Sequence, residues 1–159
     1  MSHISTHGIN KYKFDYEISN DIIINIYIYD NAGQENYRTL NKSYYSKVDS
    51  CILVYDITNK ISFENCQYYN EVIKENCKKN IKVLLLGNKS DNENKREVSE
   101  REGMDYAISN SYIFYETSCL KNENVSEAFE TLIKITEMEI SYNNFDLKRD
   151  YVHKRKKNC

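Results

Sequence analysis

The sequence contains few residues that interrupt regular structure. Its 159 residues include no proline, no tryptophan and only 4 glycines. So few turn-forming residues favour long helices and strands over an architecture of many short strands. A chain of this length is expected to form one domain with a sizeable core. Its hydrophobic fraction of 40% and charged fraction of 29% are ordinary for a soluble protein.

The sequence also lacks the patterns of a disulfide framework, a zinc site or a membrane span. Its 5 cysteines form no C-x-x-C pair. Such an odd, scattered set indicates reduced thiols in a cytosolic protein. No apolar stretch approaches the length of a membrane span, and the N-terminus has neither the basic region nor the apolar core of a secretion signal. These features predict a protein that is neither secreted nor membrane-spanning.

Charge is distributed unevenly along the chain. The formal net charge is −2, yet residues 148–157 contain six Lys or Arg residues and one Asp. An acidic body with a basic tail does not suit nucleic-acid binding, because the positive charge is confined to one end. Helical periodicity is lost from Tyr142 onward. Residues 142–159 are therefore predicted to form a flexible basic tail.

Hydrophobic periodicity predicts that strands and helices alternate. Residues 12–18 alternate apolar and polar side chains as a half-exposed strand does, and they precede a second strand at 22–29 with which they form a predicted hairpin. Helices are predicted to begin near Ser62, read as a cap, and after the capping boxes at Ser99 and Asn124. Further strands are predicted at 51–55, 81–87 and 112–115. This order is typical of a doubly wound α/β fold.

An aspartate follows the most strand-like run, in the sequence DNAGQE at residues 30–35. In an open α/β sheet, ligands bind at the carboxyl ends of the strands. There Asp30 can hold Mg²⁺ directly or through water, the Gly33 N–H can approach a phosphate oxygen, and Gln34 can orient a water. Taken alone, the same residues are also explained by a plain turn after a strand.

Two more polar motifs follow predicted strands, NKSD at residues 88–91 and ETSCL at residues 116–120. Together with residues 30–35 they resemble the G3, G4 and G5 motifs of the Ras superfamily of small GTPases, whose usual forms are D-T-A-G-Q-E, N-K-x-D and E-T-S-A-K. The wider sequence is similar to the Rab branch. The segments that carry this similarity are NYRTL at 36–40, SYY at 43–45 and LVYDIT at 53–58. The resemblance extends over most of the chain, from Ser5 to Ile140.

The resemblance implies both a fold and a function. The expected fold is a doubly wound, mostly parallel sheet of the P-loop NTPase type with one antiparallel edge strand, formed by a domain at residues 1–141. The expected activity is hydrolysis of GTP to GDP and phosphate with Mg²⁺. Such a protein is a GTP/GDP-dependent switch in intracellular vesicle traffic. Its switch regions would bind effector, exchange and activating proteins on the cytosolic face of an endomembrane.

The second motif, NKSD at residues 88–91, is the one expected to recognise guanine. Asp91 can accept two hydrogen bonds, from the ring N1–H and from the exocyclic amine, whereas adenine has an acceptor at N1 and no amine beside it. A site of this kind rejects adenine by leaving a carboxylate unpaired. The resemblance assigns Asn88 to the base edge and to bracing the loops, and the stem of Lys89 to one face of the base. An isolated N-K-x-D is more often a solvated turn, and its spacing from the other motifs is what favours the functional interpretation.

The third motif would complete the guanine site. In the family, the N–H at the position of Cys119 meets the guanine carbonyl, and the residue at the position of Ser118 braces the loop. Cys119 stands where the family has Ala. Leu120 replaces the usual Lys, which removes a charge but leaves a side chain that can pack on the base.

Hydrolysis would depend on the first motif and on the N-terminus. By resemblance, Gln34 orients the attacking water, Gly33 contacts the γ-phosphate and Asp30 supports Mg²⁺. The sequence STHG at residues 5–8 resembles the S-T-x-G of the first switch. Thr6 is therefore a candidate ligand of Mg²⁺ and the γ-phosphate, with a disordered N-terminal threonine as the alternative.

No G-x-x-x-x-G-K-[ST] phosphate loop occurs in the sequence. The family places it before the first switch, so we expect an N-terminally truncated domain without the first strand, phosphate loop and first helix. Loss of about four charged hydrogen bonds at roughly 1.5–3 kcal/mol each would weaken nucleotide binding by about four decades. The family sets its first strand in the middle of the sheet, so two central strand edges are expected to be unpaired.

The C-terminal residues suggest a lipid anchor. Rab tails commonly end in prenylated cysteines, and one lipid with a basic patch is a sufficient two-signal anchor to a membrane. Cys159 is the candidate lipidation site. It is a single, terminal cysteine and fits neither C-a-a-X nor the paired cysteines typical of Rabs, so a solvated basic tail is the alternative.

Two other functions are compatible with the sequence. One is a nucleotide-independent binding module, a pseudo-GTPase that keeps the Rab surface. The intact Gln34, Asn88 and Asp91 argue against it, because such a module has no use for them. The other is a flavodoxin-like or different doubly wound domain whose motifs are coincidental.

Overall fold

The chain divides into two compact units, Met1–Lys47 and Val48–Cys159. The computed structural model describes residues 9–19, 22–31 and 45–157. The first unit contains an antiparallel hairpin, and the second contains a parallel sheet with its helices.

The first unit pairs β1 (Ile9–Ser19) with β2 (Ile22–Asn31) in an antiparallel sheet. The register sets Tyr12 opposite Ile28 and Phe14 opposite Ile26, so the alternating apolar residues share one face. The predicted hairpin is confirmed. Within the described residues, its strands form a sheet of their own, separate from the parallel strands.

The second unit is built on three parallel strands, β3 (Ser50–Asp56), β4 (Lys82–Asn88) and β5 (Ile113–Thr117), in the order β3-β4-β5. Residues 83–87 of the central strand are all buried. A parallel strand covered on both faces needs an unbroken apolar run, which explains the sequence VLLLG. The register aligns Asp56, Asn88 and Thr117 at the carboxyl ends of the strands.

Three helices accompany this sheet: α1 (Lys60–Asn76), α2 (Glu100–Asn110) and α3 (Val125–Lys157). The N-cap of α1 is Asn59, whose side chain accepts a hydrogen bond from the Ser62 N–H at 3.1 Å. The prediction that Ser62 is the cap was therefore wrong. Ser62 lies in the first turn, where its hydroxyl donates to the Asn59 carbonyl at 2.7 Å and accepts from the Asp56 N–H at 2.9 Å.

The helix α2 begins as its sequence predicts. The Ser99 hydroxyl accepts from the Glu102 N–H, and the Glu102 carboxylate accepts from the Ser99 N–H. This reciprocal capping box satisfies two N–H groups that a helix start otherwise leaves without partners. The boundary between the preceding loop and α2 is thereby fixed by two residues that are recognisable in the sequence.

The core of the second unit lies on both faces of the sheet. Val83 and Leu85 of β4 pack in one cluster with buried residues of α1 and α2, whereas Leu84 and Leu86 pack with Ala128 and Leu132 of α3. Successive residues of a strand point to opposite faces, so the two clusters follow directly from the apolar run. Helices on both faces of a parallel sheet make the doubly wound arrangement that the sequence predicts.

The helix α3 extends beyond the apolar pattern that predicts it. Periodicity is lost at Tyr142, yet the helix continues to Lys157. Residues 142–157 contain no glycine or proline that would end it. The flexibility of the tail stays a prediction. Across the described part of the chain, no helix combines the length and apolar character needed to span a membrane.

Candidate functional site

The loops that follow β4 and β5 meet at one edge of the parallel sheet. Asn88 ends β4 opposite Thr117, which ends β5. The Asn88 side-chain oxygen accepts from the Cys119 N–H at 3.4 Å and from the Thr117 hydroxyl at 3.5 Å, and its main-chain oxygen accepts from the Ile57 N–H at 3.0 Å. The predicted second and third motifs are therefore brought together, with Asn88 between them.

Asp91 and Ser118 make the second contact between these loops. The buried Ser118 hydroxyl donates a close hydrogen bond to Asp91 Oδ1 and accepts one from the Lys121 N–H at 3.1 Å. The Ser90 N–H donates to the Thr117 carbonyl at 3.0 Å. Asp91 Oδ2 has no hydrogen-bond partner within the described residues. One carboxylate oxygen thus holds the loop in place, and both oxygens keep lone pairs that can accept from a ligand.

Lys89 adopts the left-handed conformation, with φ 70°. Its ammonium Nζ lies 2.5 Å from Asp56 Oδ2, and Asp56 Oδ1 accepts from the Thr58 N–H at 2.9 Å and the Thr58 hydroxyl at 2.7 Å. Burial acts to raise the pKa of the Asp56 carboxyl, but the hydrogen bonds from Lys89 and Thr58 outweigh it, so the pKa lies below its ordinary value. Asp56 is not among the site residues predicted from the sequence. It holds the lysine whose stem is predicted to cover the base.

A partly buried ion pair connects the segments next to these loops. Arg96 donates two hydrogen bonds to the Glu116 carboxylate, at 2.6 and 2.7 Å, and a third to the Val98 carbonyl at 2.9 Å. The two side chains are only 17% and 11% exposed. Hydrogen bonding to Glu116, and then to Glu93, raises the pKa of the Arg96 guanidinium. The pair ties the segment after the NKSD motif to the end of β5, and no local sequence pattern indicates it.

The segment from Ser118 to Asn124 closes into a compact loop. Ser118 and Glu123 exchange main-chain hydrogen bonds of 3.1 and 3.0 Å. The Asn124 side-chain amide donates to the Glu116 carbonyl at 2.9 Å, and its φ of 57° is left-handed. Cys119 lies exposed at the surface of this loop, and Leu120 beside it is 84% exposed. Both positions are accessible to a base, as the resemblance requires.

The phosphate side of the predicted site is described only at Asp30. This residue pairs with Asn10 near the end of β2, and its side chain is exposed. Its carboxylate oxygens are ligands that suit Mg²⁺. Thr6, Gly33, Gln34 and Cys159 lie outside the described residues. Among the residues that are described, no group of three or more His, Cys, Asp or Glu side chains could hold a metal ion.

Comparison with known proteins agrees with these motifs. The family model of the Ras family matches residues 1–138. Rab-13 of Canis lupus familiaris is 42% identical over 111 residues, which cover 70% of this chain and 55% of that protein. Rab-15 of Rattus norvegicus is 36% identical over 134 residues, which cover 84% of this chain and 63% of that protein.

Rab-13 of Rattus norvegicus is 41% identical over 133 residues, 84% of this chain and 65% of that protein. The chain thus spans between about half and two thirds of the length of these relatives. The match to the Ras family model covers most of this chain, and the relatives are Rab proteins. The chain therefore belongs to the Ras family, as a Rab-type member of the Ras superfamily of small GTPases.

Proposed function

We propose that this protein is a Rab-type GTP/GDP switch that selects its nucleotide by the guanine base and acts in vesicle traffic. The observation that carries the proposal is the link between two loops by Asn88 and by the Ser118–Asp91 hydrogen bond. These contacts hold a carboxylate, an amide and the Cys119 N–H at one sheet edge. That set of groups is complementary to the donor and acceptor pattern of guanine.

The chemistry of Asp91 supports discrimination against adenine. Its Oδ1 already accepts from Ser118, but each carboxylate oxygen has two lone pairs, so both oxygens remain able to accept from N1–H and the exocyclic amine. Adenine would place an acceptor against this carboxylate. A buried polar group left without its partner costs about 1–3 kcal/mol, and more when it is charged. Guanine nucleotides should therefore bind with a preference of several decades.

The phosphate side of the proposal rests on the resemblance and on Asp30. Asp30 and Thr6 would hold Mg²⁺, which would supply charge neutralisation during phosphoryl transfer. We assign Asp30 and Thr6 to the metal, Gly33 to the γ-phosphate and Gln34 to the attacking water. The exposed position of Asp30 at the end of β2 is compatible with this role. The resulting activity is hydrolysis of GTP to GDP and phosphate.

Nucleotide binding by these 159 residues should be weak. The sequence contains no G-x-x-x-x-G-K-[ST], whose backbone amides and lysine hold the α- and β-phosphates in P-loop proteins. Calorimetric titration with GDP can compare this chain with a version extended upstream by a strand and phosphate loop. We expect the extended version to bind at least about a thousandfold more tightly. Equally tight binding by both would overturn this part of the proposal.

A substitution in the proposed guanine site tests whether the protein selects its nucleotide by the base. In the extended version, Asp91→Ala should weaken GDP binding by at least about tenfold and abolish the preference for GDP over ADP. Asp105→Ala is the matched control, because Asp105 is an exposed aspartate on α2 whose partner is Arg101. The guanine proposal fails if Asp91→Ala and Asp105→Ala bind GDP alike.

The membrane-directed part of the proposal concerns the C-terminal tail. We propose that prenylation of Cys159 and the basic residues 148–157 hold the protein on the cytosolic face of an endomembrane, where the switch regions meet effector, exchange and activating proteins. Each basic residue near an anionic membrane contributes about 1 kcal/mol. Cosedimentation with vesicles containing phosphatidylserine should require the prenylated form. If the Cys159→Ser variant sediments with the vesicles as well as the parent protein does, the lipid is not needed for membrane binding.

A nucleotide-independent Rab-like module is the second candidate. The two candidates differ in what Asp91 is for. If partner binding or membrane recruitment is unchanged in Asp91→Ala, the module is the better description. If partner binding or membrane recruitment is lost together with GDP binding, the GTP/GDP switch is the better description.

A further inference from the structure

Two cysteines meet at the end of the sheet opposite the guanine loops. Cys51 is the second residue of β3, and Cys77 is the C-terminal cap of α1. Their sulfur atoms lie 3.8 Å apart. The Cys77 N–H donates to the Ile73 carbonyl at 2.9 Å, so the backbone at the end of the helix is fixed. The fold therefore holds two thiols that are 26 positions apart in sequence in direct contact.

The two thiols are not equivalent. The hydrogen bond with Cys77, followed by burial, raises the pKa of the Cys51 thiol, while the hydrogen bond from Cys51 lowers the pKa of the Cys77 thiol. Both residues are partly exposed. Thiolates are the nucleophilic form of cysteine, so Cys77 is the sulfur from which a reaction with a small oxidant would start.

The other described cysteines provide a contrast within the same unit. Cys66 is buried on α1, its thiol donates to the Ser62 carbonyl at 3.7 Å, and burial raises its pKa to about 11. Cys119 is exposed in the loop after β5. Of the four cysteines in the described residues, Cys51 and Cys77 are the two whose sulfurs are in contact.

We propose that Cys51 and Cys77 form a site of reversible oxidation, at which a two-electron oxidant of the peroxide class converts the thiol pair to an intrachain disulfide. The Cys77 thiolate attacks one peroxide oxygen, the O–O bond breaks, and the leaving hydroxide takes up a proton to become water. Cys77 is then a sulfenic acid. The Cys51 sulfur loses its proton and attacks the Cys77 sulfur, and the S–O bond breaks to release a second water. Two thiols are oxidised and one hydrogen peroxide is reduced to two waters.

The disulfide would join the start of β3 to the end of α1 and close the segment between them. Closing a loop of this size restricts the unfolded chain, and the melting temperature should rise by roughly 5 °C. The bond would form at the opposite end of β3 from Asp56, which holds Lys89. Oxidation is therefore expected to change the stability of the unit and to leave the guanine-binding loops as they are.

The test uses the full chain carrying Cys119→Ser and Cys159→Ser, which leaves three thiols. The protein is treated with hydrogen peroxide, its free thiols are alkylated, and its peptides are mapped by mass spectrometry. We expect a disulfide between Cys51 and Cys77, an alkylated Cys66, and recovery of both thiols with dithiothreitol. In urea, where the fold is lost, the pairing among the three cysteines should become unselective.

Single substitutions test the order of the steps. Cys51→Ser should leave a sulfenic acid at Cys77 that dimedone traps, and Cys77→Ser should slow oxidation of Cys51 at least about tenfold. The proposal is overturned if Cys66 is oxidised as fast as Cys77 in the folded chain, or if disulfides form between chains instead. It is also overturned if the native and urea-unfolded chains give the same pairing. That comparison uses neither single variant, so it holds even if one of them does not fold.

Discussion

The hairpin and the parallel sheet hold their predicted site residues in different ways. In the parallel sheet, β4 is buried from residue 83 to residue 87, and the loops at its end are tied by side-chain hydrogen bonds and a partly buried ion pair. In the hairpin, Tyr12 and Phe14 on the apolar face are 54% and 37% exposed, and Asp30 is held by cross-strand pairing. The residues predicted to bind guanine are therefore organised by tertiary contacts, whereas the one described residue predicted to bind Mg²⁺ depends on local pairing.

The largest effect on stability is expected from the partly buried ion pair. Arg96→Ala removes two hydrogen bonds from Glu116 and leaves its carboxylate, which is 11% exposed, without these partners. The expected loss is roughly 3 kcal/mol of unfolding free energy, measured by urea denaturation. Replacing both residues, as Arg96→Met with Glu116→Leu, should recover most of that loss. A loss below about 1 kcal/mol in Arg96→Ala would contradict the role given to the pair.

The next effect concerns the packing between β3 and α2. A Cβ added at Gly103 would overlap the Tyr55 hydroxyl oxygen and would lie 2.8 Å from the Phe114 ring. Gly103→Ala should therefore destabilise the second unit by about 1–3 kcal/mol in thermal or urea unfolding.

Tyr55→Phe is the control for this packing. The buried Tyr55 hydroxyl has no hydrogen-bond partner in the described part of the chain, so its removal should be close to neutral. It should also reduce the cost of Gly103→Ala in the double variant, because the atom that clashes is gone. If the costs of the two substitutions simply add, the contact is not the cause of the loss.

A smaller, pH-dependent effect is expected where α1 meets α2. Glu102 accepts from Lys60 and from Ser99, and these bonds lower the pKa of its carboxyl to about 2. Because the folded-state pKa is the lower one, the stabilisation is present above the ordinary value of 4.5 and is lost as pH falls from 4.5 towards 2.

Melting temperatures measured between neutral and acidic pH can test this. Glu102→Gln should flatten the fall in melting temperature below pH 4.5, whereas Glu100→Gln on the same exposed turn should follow the parent protein. Parallel curves for the parent and Glu102→Gln would show that the capping box and the Lys60 contact do not account for the acid sensitivity.

The smallest effect is expected for a substitution in the hairpin, on the local stability of β1 and β2. The Lys11 ammonium lies 4.3 Å from the centre of the Tyr27 ring, while that of Lys13 lies 6.0 Å away. An exposed cation–π contact is worth about 0.5–1 kcal/mol. Lys11→Met should therefore speed amide hydrogen exchange in β1 and β2 a few-fold, and Lys13→Met should do so less. Equal effects would mean that charge, and not the ring contact, matters here.

Much of the parallel sheet could be predicted from the sequence because its signals are local. The apolar run before Asn88 predicted a strand at residues 81–87, and Ser99 with Glu102 predicted the start of a helix. The cap of α1 was assigned to Ser62 instead of Asn59, since both are good capping residues and only the backbone geometry separates them. The order of the strands and helices could be predicted more reliably than the residues at which each one begins and ends.

The contacts that hold the proposed guanine site could not be predicted, because they depend on strand register and on loop conformation. Arg96 reaches Glu116 across 20 positions, and Lys89 reaches Asp56 from a left-handed backbone. Neither spacing has a sequence signature. The motif residues Asn88, Asp91 and Ser118 were identified from the sequence, but the bonds that connect them come from the fold.

The central claim is that the loops after β4 and β5 recognise guanine. Amide NMR spectra of the 159-residue chain, titrated separately with GDP and ADP, test it most directly. We predict that GDP shifts the amide signals of Asn88, Asp91, Ser118 and Cys119, and that ADP at equal concentration shifts them at least about tenfold less. Equal shifts with both nucleotides, or no GDP-dependent shift at these four amides, would contradict the account.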